Sequence, residues 1–286
     1  MSGHALAAEE GDTSRPLLAL ASLSGEADAV WAREASDLAD LAFLGGLALD
    51  AESREAAREL VAREREEFLP ADPLAFTNRE LSALADSPIR AGLNVRSATL
   101  EPVREAAALC AAHDAVLEIN AHCRQPELRA VGCGESLLAD TDRLAEYVTA
   151  AAGTGATVSV KVRAGVPGVD LRETTRAVAG AGADAVHVDA MDSGSVVGDV
   201  VAAAASVTGD GDTAGEQSRL TVLANNEVRD RESVREYLRY GADGVSVGRP
   251  STDPTVLRRV RDALVAWSDS PERPADDAGE DAEVSP

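Results

Sequence analysis

The sequence predicts an α/β protein built as one (β/α)8 barrel, and three observations carry that expectation. Short β-branched or Leu-rich runs alternate with Ala/Leu/Glu/Arg segments of helical period, as in repeated βα units around a parallel sheet. There are eight of each, more strands than a doubly wound sheet commonly uses. The 286 residues are enough for one barrel of roughly 250 residues with a short tail at each end.

The strands are expected, in order, at 16–22 (PLLALAS), 41–49 (LAFLGGLAL), 89–96 (IRAGLNVR), 115–121 (AVLEINA), 157–165 (TVSVKVRAG), 185–190 (AVHVDA), 220–226 (LTVLANN) and 244–249 (GVSVGR). Helices fill the intervals at 26–37, 51–67, 100–112, 135–152, 170–181, 195–207, 230–240 and 254–267. Two segments read as insertions. Residues 68–88 have room for a small extra helix, and the Gly/Asp-rich stretch 208–219 reads as a surface loop on the N-terminal face of the barrel. Residues 1–14 are small and polar, and residues 269–286 are acidic with Pro and no apolar periodicity. Both ends are expected to be disordered, leaving 15–268 as the barrel domain.

The charge balance is extreme: 50 Asp and Glu face 27 Lys and Arg, a net −23, and 26 of those 27 are Arg, Lys161 being the only lysine. Such a surface reads as adaptation to a salty cytoplasm, where the Debye length falls to about 3 Å and self-repulsion is screened. At face value the acidity disfavours a partner bound through phosphates. In a halophile, uniform surface acidity can hide a local basic patch, here near Arg124, Arg129, Arg163 and Arg249. No run approaches the ~20 apolar residues of a membrane span, and the N-terminus lacks a signal-peptide pattern, so a cytoplasmic protein is expected. Cys110, Cys123 and Cys133 match no zinc spacing, so neither a disulfide framework nor a structural metal is expected.

A barrel carries its chemistry on the loops after its strands. The polar residues there are Asn94; Asn120 to Gln125; Lys161 and Arg163; His187 and Asp189; Asn225 to Glu227; and Gly248 with Arg249. Lys161, set in the apolar strand VSVKVRAG of a chain that otherwise uses Arg, marks a place where a compact ammonium is wanted. It could face an electron-rich cofactor or a phosphate, form a Schiff base, or simply pack its stem and snorkel. Cys110, in a helix, reads as core filler and Cys133, between glycines, as structural. Cys123, between His122 and Arg124 in a polar loop, is a candidate reactive thiol. His187 and Asp189 share one face of their strand, opposite Val186 and Val188. LANNEV and VGRP, after strands seven and eight, lie where barrels commonly bind phosphate. There Gly248 permits close backbone approach, Asn226 tolerates left-handed geometry and Arg249 offers a bidentate contact.

LEINAHCRQPELRAVGCGESLL, VSVKVRAG, GADAVHVDA, LANNEV and GADGVSVGR, in that order, resemble the motif series of the tRNA-dihydrouridine synthases, and more closely their archaeal relatives. The resemblance is firm from about residue 88 to 250, and PLLALASLSG occupies the place of the family's first flavin-contacting strand. It implies an FMN enzyme that reduces the C5–C6 double bond of uridine in tRNA and draws its electrons from NAD(P)H. By that resemblance Cys123 is the general acid at C5 and Asn120 positions the base; Arg124, next to the acid, is a further candidate substrate contact. Lys161 and His187 contact the flavin, Asn225, Gly248 and Arg249 hold its phosphate, and Asn94 stands in the place of a flavin-contacting glutamine.

The chain departs from the family pattern at His122-Cys123-Arg124, where Gly-Cys-Pro is usual, and at Asn225-Asn226-Glu227, where Asn-Gly-Asp is usual. It also follows residue 250 with one helix and an acidic tail in place of a helical RNA-holding domain, and its eight aromatics are few for stacking bases. Three alternatives follow: an FMN enzyme acting on a free pyrimidine or dihydroorotate-like molecule, a flavin-free phosphosugar lyase with Lys161 as Schiff base, and a non-catalytic barrel.

Overall fold

A computed structural model describes Leu6, residues 15–207 and residues 219–269. The expected disordered ends, apart from Leu6 and Asp269, and the loop expected at 208–219, apart from Arg219, lie outside the described residues. Eight parallel strands close into a barrel in sequence order: β1 (Leu17–Leu20), β2 (Leu41–Ala48), β3 (Arg90–Arg96), β4 (Val116–Asn120), β5 (Thr157–Arg163), β6 (Ala185–Asp189), β7 (Thr221–Asn225) and β8 (Gly244–Val247), with β8 pairing back onto β1. The (β/α)8 expectation is met.

The helices are α1 (Ala29–Glu34), α2 (Ala51–Val61), α3 (Pro73–Ala83), α4 (Leu100–Ala112), α5 (Pro126–Ala130), α6 (Glu135–Leu138), α7 (Thr141–Ala152), α8 (Leu171–Gly180), α9 (Val196–Val207), α10 (Arg231–Arg239) and α11 (Pro254–Asp269). Two expectations are corrected here. The helix expected at 51–67 stops at Val61, and it is the supposed insertion, α3, that packs between α1 and α4 as a member of the outer ring. α2 instead packs on α5 at the C-terminal end of the barrel, where Ala56 and Leu60 meet Leu128 and Cys133. The single helix expected at 135–152 is two, because the Asp140 carboxylate caps a fresh start by accepting the Arg143 N–H at 3.2 Å.

Strand parity sorts the core. Residues such as Leu18, Leu20, Ala42, Leu44, Val158, Val160, Val186 and Val188 face the helices in one large cluster, and the alternate residues face the barrel axis. At the lower end the axis is apolar, filled by Leu17, Leu41, Phe43, Val116, Ala185 and Leu223. Gly92 is glycine for a packing reason: a Cβ there would lie 2.6 Å from the Phe43 ring. Asp40, Asp184 and Asp243, each just before an even-numbered strand, brace the preceding odd-numbered strand. Their carboxylates accept the N–H of Leu18, Val158 and Val222, each at 2.8 Å. Among the described residues no helix is long and apolar enough to cross a membrane.

Candidate active site

Toward the C-terminal end the axis-facing side chains turn polar. Asn94 (β3), Glu118 and Asn120 (β4), Ser159 and Lys161 (β5), His187 (β6) and Ser246 (β8) are all buried, and none is more than 3% exposed. All of them but Lys161 form one hydrogen-bonded network. Glu118 accepts from Asn94 Nδ2 at 2.7 Å and lies 2.7 Å from His187 Nδ1, with Ser159 Oγ at 3.4 Å. His187 Nε2 is 2.6 Å from Ser246 Oγ, which also accepts from Asn225 Nδ2 at 2.7 Å. Asn120 Nδ2 donates to Asn94 Oδ1 at 2.9 Å.

Cys123 is reached through Asn120, whose side-chain oxygen accepts the backbone N–H groups of His122 at 3.3 Å and Cys123 at 3.1 Å. The Cys123 carbonyl accepts the Glu135 N–H at 2.9 Å across Gly134, where a Cβ would lie 2.1 Å from that oxygen. The turn is thus pinned on both sides, with the Cys123 side chain half-buried between α2 and α5. Burial pushes the Cys110 and Cys133 thiols up to about 12, as befits core groups.

His122 lies 3.9 Å from Asp189, but burial, with Lys161, His187, Arg96 and Arg163 around it, holds its pKa well below the usual histidine value, so the ring is neutral near pH 7. Arg96, at the end of β3, is the buried cation of this part of the barrel. Burial works against that guanidinium, yet Cys123 and Glu67 hold its pKa above the ordinary arginine value. Arg96 is 4% exposed, pairs with Glu67 at 2.6 Å and donates to Ser24 Oγ. Gly46 makes room for it: a Cβ there would lie 2.7 Å from Arg96 and 2.9 Å from Asn94 Oδ1.

Lys161 is 2% exposed, and its ammonium makes none of the hydrogen bonds or ion pairs found among the described residues. Burial pulls its pKa down, while Glu118 and Asp189 pull it up, with a net lowering. The ammonium is not among the enclosed polar atoms that lack a partner, so the side chain is buried while its charged end opens on the mouth.

The remaining sequence candidates are more scattered. His187 is fully buried, stacks on Phe43 at 5.4 Å between centroids and has both ring nitrogens engaged, so it belongs to the packed layer beneath the mouth. Asn225 binds Ser246 and is half-buried. Beside Gly248 a Cβ would meet no atom within 4 Å, leaving the backbone after β8 open. Arg249 and Arg124 are exposed on the rim with no ion pair among the described residues, whereas Arg129 and Arg163 both bind Glu135. Asn226 has φ 113°, the left-handed geometry expected of it. Among the described residues no cluster of His, Cys, Asp or Glu is placed to hold a metal ion.

Glu118, Ser246 and Arg96 are absent from the strand-end candidates above. Glu118 carried the same signal as Lys161, a charged residue in an apolar strand, and it shares the axis face with Asn120 by the two-residue period.

The dihydrouridine synthase family profile matches residues 77–283. The chain belongs to the dihydrouridine synthase family. It is also similar, at 26% identity over 233 residues that make up 80% of this chain and 87% of the relative, to a Methanocaldococcus jannaschii protein described only as uncharacterized. Among solved structures it is similar in fold to 3-hexulose-6-phosphate synthase from Salmonella typhimurium (TM-score 0.52, 15% identity, 87% of this chain and 99% of that one). An IMP dehydrogenase/GMP reductase-like protein from Corynebacterium glutamicum is similar to the same degree (TM-score 0.52, 17% identity, 82% of this chain and 64% of that one). At these identities the two structures speak for the barrel alone.

Proposed function

We propose that this member of the dihydrouridine synthase family is an FMN-dependent reductase of the C5–C6 bond of uridine in tRNA. The single observation that carries the reading is the pairing, at one barrel mouth, of a buried lysine without a hydrogen-bond partner and a half-buried cysteine on a pinned turn.

The residues present fit FMN. Lys161 supplies a positive charge for the electron-rich edge of the ring. Gly248 and Arg249 leave an open backbone and an unpaired guanidinium for its phosphate. Bound FMN, recharged by NAD(P)H, supplies the hydride for C6 of uracil. Cys123 holds the proton delivered to C5, and Asn120 fixes the turn that presents it. His122 is kept neutral, so it adds no positive charge beside the thiol. Arg124 on the rim offers a contact for a phosphate of the RNA, whose target base must leave its stack to reach the mouth.

The test is reconstitution in high salt with FMN, NADPH and unmodified tRNA. A flavin spectrum that shifts on binding, together with dihydrouridine in the tRNA, supports the reading. No FMN binding removes it. FMN binding with reduction of free uracil nucleosides but not of tRNA moves the substrate to a small pyrimidine. Borohydride trapping of a substrate on Lys161 would move the chemistry to a Schiff base.

A further inference from the structure

The polarity of the buried network can be worked out from its two ends, because both are anchored on backbone groups that cannot reverse. At one end the N–H groups of His122 and Cys123 can only donate, so the Asn120 atom they meet is its oxygen and its nitrogen faces Asn94. Asn94 therefore accepts with its oxygen and presents its own nitrogen to Glu118. At the other end the Ser246 carbonyl can only accept, which fixes the Asn225 nitrogen toward β8, where it also donates to Ser246 Oγ. The Ser246 hydroxyl is left to donate to His187 Nε2, and His187, whose pKa burial and Lys161 hold below the usual value, donates Nδ1–H to Glu118. Every bond in the chain points toward one carboxylate.

A group that receives donors at 2.7 Å on each oxygen, with the Ser159 hydroxyl donating to one of them at 3.4 Å, is ionised. Burial opposes that ionisation, but His187, Lys161 and Asn94 outweigh it. In the sheet register Asn120 lies beside Lys161 and Glu118 beside Ser159, so Glu118 is the diagonal neighbour of the lysine on the same interior face. The groups that face Lys161 are Glu118 from β4, His187 and Asp189 from β6, and His122 from the loop after β4. The two histidines are neutral near pH 7. Of the two carboxylates, Glu118 is fully buried, whereas the Asp189 side chain is 17% exposed and partly screened.

We propose that Glu118 is the positioning residue of this mouth: it keeps the ammonium of Lys161 charged and, through Asn94 and Asn120, holds the turn that presents Cys123. The proposal does not depend on a flavin, and its test is made on the flavin-free full chain.

Because Lys161 is the only lysine, protein grown with lysine labelled at Nζ gives one side-chain resonance, and its pH titration reports that group alone. In Glu118→Gln the Lys161 midpoint is expected to fall by about one pH unit, a tenfold loss of the charged fraction above the midpoint. Amide exchange at His122 and Cys123 is expected to speed up in the same protein. Asn94→Ala is expected to speed that exchange while leaving the lysine midpoint where it was, which separates the two roles. A folded Glu118→Gln protein with an unchanged midpoint, or with unchanged exchange at both amides, overturns the proposal. Should Glu118→Gln fail to fold, Glu118→Asp decides. It keeps the charge and retracts it from Asn94, so a near-normal lysine midpoint with faster exchange supports the proposal, and unchanged exchange overturns it.

Discussion

The Asn120 side-chain oxygen accepts the Cys123 N–H at 3.1 Å, so the last residue of β4 holds the turn that carries the thiol. In Asn120→Ala, the N–H groups of His122 and Cys123 lose that acceptor and Asn94 loses a donor. Misplacement of a reacting group by about 1 Å costs on the order of 100-fold in rate. Turnover of uridine by Asn120→Ala is therefore expected to fall about 100-fold while FMN affinity stays within a few-fold of wild type, measured by single-turnover kinetics and by flavin titration.

His187 and Glu118 are a fully buried pair, and removing one partner strands the other's charge. Because His187 is neutral, what His187→Leu removes is a hydrogen bond to a buried charge, and it is expected to cost roughly 1.5–3 kcal/mol of stability. Urea unfolding in high salt at neutral pH checks it. A loss below 1 kcal/mol would mean that Asn94 and Lys161 alone satisfy Glu118.

Asp50 ties three pieces of the mouth together. Its carboxylate accepts from the N–H groups of Glu52 and Ser53 at the start of α2, from both of their neighbouring hydroxyls, Ser53 Oγ at 2.8 Å and Ser97 Oγ at 2.7 Å, and from Ala98 N–H at 2.6 Å. Burial raises its pKa, but these bonds more than reverse that and hold it below the usual aspartate value. A depressed carboxylate stabilises fully above its unfolded pKa, about 3.9, and that contribution is lost as pH falls through the lower folded value. The stability gap between wild type and Asp50→Asn is accordingly expected to be constant from pH 8 to about 5 and to close below about pH 4. A gap that instead widens on acidification would contradict the assignment.

Gly92 leaves no room for a side chain, since a Cβ would sit 2.6 Å from the Phe43 ring at the centre of the barrel. Gly92→Ala is expected to cost about 1–3 kcal/mol by overpacking. Phe43→Leu in the same protein should recover part of the loss, which thermal unfolding of the single and double variants would read.

The eight strands were legible because a two-residue apolar alternation bounded by turn residues has few other readings, as in AVHVDA and TVSVKVR. The exchange of roles between α2 and α3 was not. Helical periodicity shows that a segment has an apolar stripe, but not which part of the barrel that stripe covers, and α2 lays its stripe on α5. At the site, Asn120, Cys123 and Lys161 were visible as polar residues at strand ends. Strand parity put His187 and Asp189 on one face of their strand, but that this face is the axis, and that His187 lies one layer below the mouth with both nitrogens engaged, depends on barrel closure. Glu118 escaped because it lies two residues before the strand end, on the same face as Asn120.

If Cys123 delivers the proton to uracil in tRNA while the rest of the mouth holds the flavin, wild type and Cys123→Ala must differ in turnover and not in flavin binding. The measurement that tests it most directly is the dihydrouridine content of unmodified tRNA after incubation with FMN, NADPH and either wild-type or Cys123→Ala protein, each first shown to bind FMN. Dihydrouridine is expected with wild type, and at least a roughly 100-fold lower rate with the variant at unchanged FMN affinity. Equal dihydrouridine from both proteins, or none from FMN-loaded wild type, would contradict it.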